Sequence, residues 1–99
     1  MSAAGFQLDR PAPGTLRASG VLSFETAAAA LQAIGAALAG EPVARLDLAG
    51  ISRSDSAGLA CVLAAQAEAR RLGRPLGVEN MPEGMRALAQ VCEVDVLVG

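Results

Sequence analysis

The chain contains 99 residues, of which 10 are acidic and 8 are basic, giving a net charge of −2 at pH 7. About 100 residues can enclose one hydrophobic core, so the length predicts a single domain over residues 1–99. There is no basic excess, no Trp and no Tyr, and only two Phe residues could stack on bases, so we do not expect the chain to bind DNA or RNA.

A β-hairpin is predicted at the start of the chain. Phe6 to Asp9 and Thr15 to Ser19 are strand-like, and the Pro- and Gly-rich segment 10–14 between them favours an antiparallel turn. Residues 20–23 either extend the second strand or begin a short third one.

The next element is predicted to be an Ala-rich helix that ends at Gly40. Ser23 is a suitable N-cap, and Glu25 is placed favourably against the positive end of the helix. Apolar residues recur at spacings of four, three and four and so define one buried face: Ala27, Leu31, Ile34 and Leu38. The uncharged run 26–40 has 15 residues, fewer than the roughly 18 to 20 that a membrane-spanning helix needs, so direct membrane insertion is not expected.

The second half of the chain alternates strands and helices. The predicted elements are a strand over 43–48, a helix over about 56–72, a short strand over 76–79, a helix from Pro82 with an apolar face of Met85, Leu88 and Cys92, and a last edge strand through Val94, Val96 and Leu97. The order is therefore β-β-α-β-α-β-α-β. Strand–helix–strand alternation after a hairpin predicts the α/β class, with a mixed β-sheet, parallel crossovers and helices packed on the sheet.

The segment from Leu46 to Leu59 is the most informative part of the sequence. Leu46 and Leu48 alternate with polar or small residues as in a strand, the residues after Gly50 have the composition of a loop, and a helix is predicted to follow. Asp55 or Ser56 can cap that helix, because either side-chain oxygen can accept a hydrogen bond from the first helical turn. The arrangement is expected to present Ser56 to a partner.

One face of this second helix is predicted to be its core face: Gly58, Cys61, Val62, Ala65, Ala69 and Leu72. Leu59 and Leu63 lie on a different row, which continues through Gln66 and Arg70. We therefore expect both leucines to be at least partly exposed beside Ser56. Two exposed leucines there suggest a docking surface, although isolated surface leucines are common.

Catalytic and metal-binding residues are scarce in the sequence. With no His and no Lys, a serine nucleophile would lack its usual bases, and neither a GxSxG elbow nor a phosphate-binding glycine loop occurs. Cys61 and Cys92 form no CxxC pair and are expected to be small buried hydrophobic residues. We therefore expect neither an enzyme nor a cofactor, and no secretory signal is recognised, which suggests a cytoplasmic chain.

The run Leu46-Asp47-Leu48 followed by Asp55-Ser56-Ala57-Gly58-Leu59 resembles the signature of the STAS domain. That family includes anti-sigma-factor antagonists, sulfate-transporter tails and the small STAS subunit of the Mla lipid transporter. The resemblance covers nearly the whole chain and implies the STAS fold. It also implies a partner-binding site at Asp55, Ser56, Ala57, Gly58, Leu59 and Leu63.

Ala57 distinguishes two branches of this resemblance. In domains similar to the anti-sigma antagonists, the phosphate-accepting Ser or Thr directly precedes the motif glycine, and here that residue is Ala57. The pattern is more similar to the Mla-type subunit, which implies a partner in the cytosolic ATPase of an ABC-type phospholipid transporter and a place beside the inner membrane. The alternative partner is a serine-kinase anti-sigma factor.

Overall fold

A computed structural model of the chain describes residues 5–92. Its elements are β1 (Phe6–Ala12), β2 (Thr15–Leu22), α1 (Ala27–Gly40), β3 (Arg45–Ser54), α2 (Ser56–Arg71), β4 (Gly77–Glu79) and α3 (Glu83–Val91). The predicted α/β class and the order β-β-α-β-α-β-α are confirmed. The last predicted strand, through Val94, Val96 and Leu97, lies outside the described residues.

The four strands form one mixed sheet in the order β1-β2-β3-β4. β1 and β2 are antiparallel, as the hairpin prediction requires, while β2 pairs with β3 and β3 with β4 in parallel. Each parallel neighbour is reached through a helix, because two parallel strands cannot be joined by a tight turn. β3 is therefore a central strand with a parallel neighbour on each side, and it leads directly into α2.

β3 is longer than the sequence indicates. The predicted strand stops at residue 48 and is followed by a loop, but the structure continues the strand to Ser54. The polar residues of this segment remain in a strand because β2 offers a parallel edge as far as Leu22, which pairs with Ser54. β2 itself runs to Leu22, so the predicted extension of the second strand is confirmed and there is no separate third strand at that point.

α1 starts later than predicted. Ser23 is not its N-cap, because residues 23–26 first form a turn in which the N–H of Thr26 donates to the Ser23 carbonyl oxygen at 3.0 Å. The hydroxyl of Thr26 in turn accepts a hydrogen bond from the N–H of Ser23 at 2.9 Å. This turn changes the chain direction between β2 and α1, and it fixes the position of Phe24 inside it.

One hydrophobic core joins the sheet to the three helices. Its largest fully buried side chains are Leu16, Leu22, Ile34, Leu46, Leu48, Val62 and Met85. α2 packs against α1, β3 and α3, so it is the central helix of the layer that covers the sheet. No helix within residues 5–92 has the length and apolar character needed to cross a membrane.

Candidate partner-binding site

The first turn of α2 is capped by Asp55. This residue has an extended backbone, and its Oδ1 accepts a hydrogen bond from the N–H of Gly58 at 3.1 Å. Of the two predicted caps, Asp55 is therefore the one used, and Ser56 is the first residue of the helix. Ser56 is exposed to solvent at the end of the helix where unpaired N–H groups point outward.

The same carboxylate holds the turn between β2 and α1. Its Oδ2 accepts a hydrogen bond from the N–H of Phe24 at 3.1 Å. The hydrogen bond from Phe24 is the largest cause that lowers the pKa of Asp55 below its usual value. Burial opposes it, and the hydrogen bonds from Gly58 and Ala57 are smaller causes that lower the pKa further. Asp55 is therefore an ionised link between two segments that are 31 residues apart in sequence.

Gly58 allows α2 to approach β2 closely. A Cβ atom at this position would collide with the carbonyl oxygen of Leu22. The glycine is therefore required by packing, because any side chain would push the start of α2 away from the end of β2. This close approach places Ser56 and Phe24 on the same end of the molecule.

The predicted exposure of Leu59 is wrong. Leu59 is 4% exposed and belongs to the hydrophobic core, and Gln66 on the same row is also buried. The reason is that α2 lies between α1 and α3 and also packs on β3. These three neighbours cover more of the helix surface than a single packing face would, and the covered part includes Leu59. The Nε2 of the buried Gln66 side chain donates to the Leu76 carbonyl oxygen at 3.1 Å, whereas its Oε1 has no hydrogen-bond partner within residues 5–92.

Leu63 keeps part of its surface in solvent. It is half-buried and packs at the edge of the core, as the prediction of partial exposure allows. The structure therefore brings Asp55, Ser56, Ala57 and Gly58 together in one helical turn, and places Leu63 farther along α2. Leu59 does not belong to the exposed surface.

An apolar groove runs between α1 and α2 beside this turn. It has a volume of about 340 Å³ and is lined by Ala27, Ala28, Leu31, Ala57, Ala60, Cys61 and Ala64. Ala57 belongs both to the groove and to the predicted site, so the two surfaces are continuous. The sequence could have indicated this groove, because the Ala residues at positions 57, 60 and 64 have the spacing that places them on one side of a helix.

Phe24 is a surface feature that the sequence analysis missed. Its side chain is 82% exposed, although Phe is usually at least partly buried. Its position directly after a strand, in a segment expected to begin a helix, gave no indication of this exposure. The only available signal was its place among polar neighbours, Ser23 and Glu25.

The two cysteines occupy different environments. Cys61 is buried as predicted, and burial raises the pKa of its thiol to about 11, so the thiol stays protonated at neutral pH. The prediction for Cys92 is wrong, because α3 ends at Val91 and Cys92 is exposed directly after it. Within residues 5–92 no cluster of His, Cys, Asp and Glu could hold a metal ion.

Asp47 is a buried carboxylate away from this site. Its Oδ1 accepts hydrogen bonds from Asn80 Nδ2 and from the N–H of Ala49, each at 2.9 Å. Its Oδ2 lies 3.5 Å from Nε of Arg17. These contacts, with the hydrogen bond from Asn80 as the largest cause, lower the pKa of Asp47. The carboxylate joins β2, β3 and the turn after β4, which is a structural task.

Comparison with known proteins places this geometry in a family. A family model described as "Mlab, STAS domain" matches residues 7–99. Among solved structures, the anti-sigma factor antagonist SpoIIAA in its unphosphorylated form is similar with a TM-score of 0.65 and 22% identity, over 86% of this chain and 81% of that one. The Bacillus cell fate determinant SpoIIAA in its phosphorylated form gives a TM-score of 0.68 and 21% identity, over 93% of this chain and 86% of that one. At such identities the likeness establishes the fold. No curated protein matches the sequence significantly.

Proposed function

The chain belongs to the STAS-domain family, and on this premise we propose that it is a non-catalytic subunit that docks on the cytosolic ATPase of an ABC-type phospholipid transporter. The observation that carries the proposal is the match to the Mlab description over residues 7–99. Domains of this family are generally binding or regulatory modules. The chain would act in the cytoplasm, held at the inner membrane by its partner.

The exposed end of α2 supports this proposal. Ser56 presents a hydroxyl there, and Asp55 holds the surrounding turn by capping α2 and binding the segment before α1. A surface whose side chains are already fixed loses little conformational entropy when a partner binds. The docking residues are proposed to be Asp55, Ser56, Ala57 and Leu63, while the buried Gly58 and Leu59 support them from the packed side of α2.

Ala57 favours this function over the alternative, an anti-sigma-factor antagonist that binds a serine-kinase anti-sigma factor. In domains similar to the anti-sigma antagonists, the phosphate-accepting hydroxyl belongs to the residue before the motif glycine, and Ala57 has no hydroxyl. Intact-mass analysis of the protein from its native host should therefore show no phosphate on residues 56–58. Stoichiometric phosphorylation of Ser56 would instead favour the antagonist function.

The direct test is the affinity of the purified chain for the purified ATPase subunit of a phospholipid transporter from the same organism. Ser56→Arg is expected to weaken this complex, because a large charged side chain would stand in the docking surface, without lowering the thermal midpoint by more than a few degrees. Gln90→Arg is the matched control, since Gln90 is exposed on α3. Absence of binding by the wild-type chain, or equal binding by the Ser56 variant, would contradict the proposal.

A further inference from the structure

Two large hydrophobic side chains are strongly exposed within residues 5–92, Phe24 at 82% and Val91 at 79%. They lie on different parts of the molecule, Phe24 in the turn before α1 and Val91 at the end of α3. Phe24 therefore lies beside the proposed docking surface, whereas Val91 does not. The two residues can serve as a test and a control for the same chemical change.

The backbone that carries Phe24 is held by hydrogen bonds on both sides. Its own N–H donates to Asp55 Oδ2 at 3.1 Å, and the preceding N–H, that of Ser23, donates to Thr26 Oγ1 at 2.9 Å. The hydroxyl of Thr26 donates to the Val21 carbonyl oxygen at 2.9 Å. The aromatic ring is thus presented to solvent from an ordered turn, which is the arrangement expected of an interface anchor.

Phe24 is also continuous with the start of α2. The Asp55 carboxylate accepts hydrogen bonds from the N–H of Phe24 and from the N–H of Gly58 in the first turn of α2. Asp55 therefore positions both the backbone that carries the Phe24 ring and the helix start that carries Ser56. The apolar groove begins next to this point, at Ala27 on α1 and Ala57 on α2. A partner that contacts Ser56 would therefore meet Phe24 in the same approach.

The charges beside Phe24 indicate what this partner surface contains. Glu25 is the next residue in the chain, Asp55 accepts a hydrogen bond from the Phe24 N–H, and both acidic residues are exposed. The surface next to the ring therefore carries an excess of negative charge from these two residues. Electrostatic complementarity at an interface calls for a basic side chain on the partner opposite this excess.

We propose that Phe24 is the hydrophobic anchor of the interface, and that it inserts into an apolar pocket of the ATPase subunit whose rim carries a basic residue. This inference rests on the proposed function, since the pocket belongs to that partner. Asp55 acts as a positioning residue that orients the turn bearing the ring. Phe24 and Ser56 then form the two halves of one docking surface.

The test compares Phe24→Ala with Val91→Ala, using the purified ATPase subunit as the probe and measuring both the dissociation constant and the thermal midpoint. Phe24→Ala is expected to weaken binding roughly 10- to 100-fold, as for an aromatic anchor, with the thermal midpoint nearly unchanged. Val91→Ala should bind like the wild type. Phe24→Leu, which keeps an apolar side chain, should recover most of the lost affinity, and Glu25→Lys should weaken binding more at low salt than at high salt.

The outcomes separate this inference from the function on which it rests. If the wild-type chain does not bind the ATPase subunit, the proposed function fails. If the wild type binds and Phe24→Ala binds equally well, the anchor is overturned while the function stands. A large fall in the thermal midpoint of Phe24→Ala would also overturn it, because the ring would then have a structural task inside the domain.

Discussion

Replacing Leu59 by Ala should destabilise the protein strongly. The side chain is 4% exposed and lies in the hydrophobic core under α2, so its removal leaves a cavity that the surrounding helices cannot fill. Truncations of this kind cost about 2 to 5 kcal/mol, whereas the entire stability of a domain is about 5 to 15 kcal/mol. For a domain of about 100 residues, that loss corresponds to a fall of roughly 10 to 30 °C in the thermal midpoint.

Leu63→Ala is the matched comparison, because it removes the same atoms from the same helix. Leu63 is only partly buried, so less buried apolar surface is lost and a smaller cost of about 1 to 2 kcal/mol is expected. Urea denaturation followed by circular dichroism gives the free energy of unfolding of both variants. A Leu59→Ala variant within about 1 kcal/mol of the wild type, or less affected than Leu63→Ala, would refute the placement of Leu59 in the core.

Three further predictions concern glycine packing, acid stability and thiol reactivity. Gly58→Ala should lower the free energy of unfolding by about 1 to 3 kcal/mol, because the new Cβ collides with the last carbonyl oxygen of β2. Gly84→Ala should raise it by about 0.5 to 1 kcal/mol, because a Cβ at Gly84 meets nothing within 4 Å and Ala favours the helix. Equal free energies of unfolding for the two variants in urea titrations would contradict the packing at Gly58. The lowered pKa of Asp47 in the folded state stabilises the protein above the unfolded pKa of about 3.9, and this stabilisation is lost as the pH falls through the lower folded value. Urea midpoints measured from about pH 6 to pH 2 should therefore fall less for Asp47→Asn than for the wild type, and parallel profiles would exclude this carboxylate as a contributor. At pH 8 an aromatic disulfide reagent should modify Cys92 quickly and Cys61 only after unfolding. The reason is that Cys61 is buried and burial raises the pKa of its thiol to about 11. Rapid labelling of both cysteines in the folded protein would contradict the burial of Cys61.

Local sequence determined the order of the elements and the start of α2. Pro and Gly separate the strands and helices, and the Asp55 side chain can reach the first turn of the helix from its own position in the chain. Both features depend on residues only a few positions apart. They could therefore be predicted without knowing which elements become neighbours, and the STAS signature gave the family from the same segment.

The tertiary structure decided which faces are covered. Leu59 is buried because α2 has neighbours on both sides, and β3 extends to Ser54 because β2 provides a pairing edge of that length. The spacing of apolar residues along one helix indicates a single apolar face, and it cannot show how many other elements pack against that helix. The link from Asp55 to Phe24 spans 31 residues and exists only after α2 has docked on the end of β2. Side-chain chemistry thus specified the candidate residues, whereas packing between distant segments decided which of them reach the surface together.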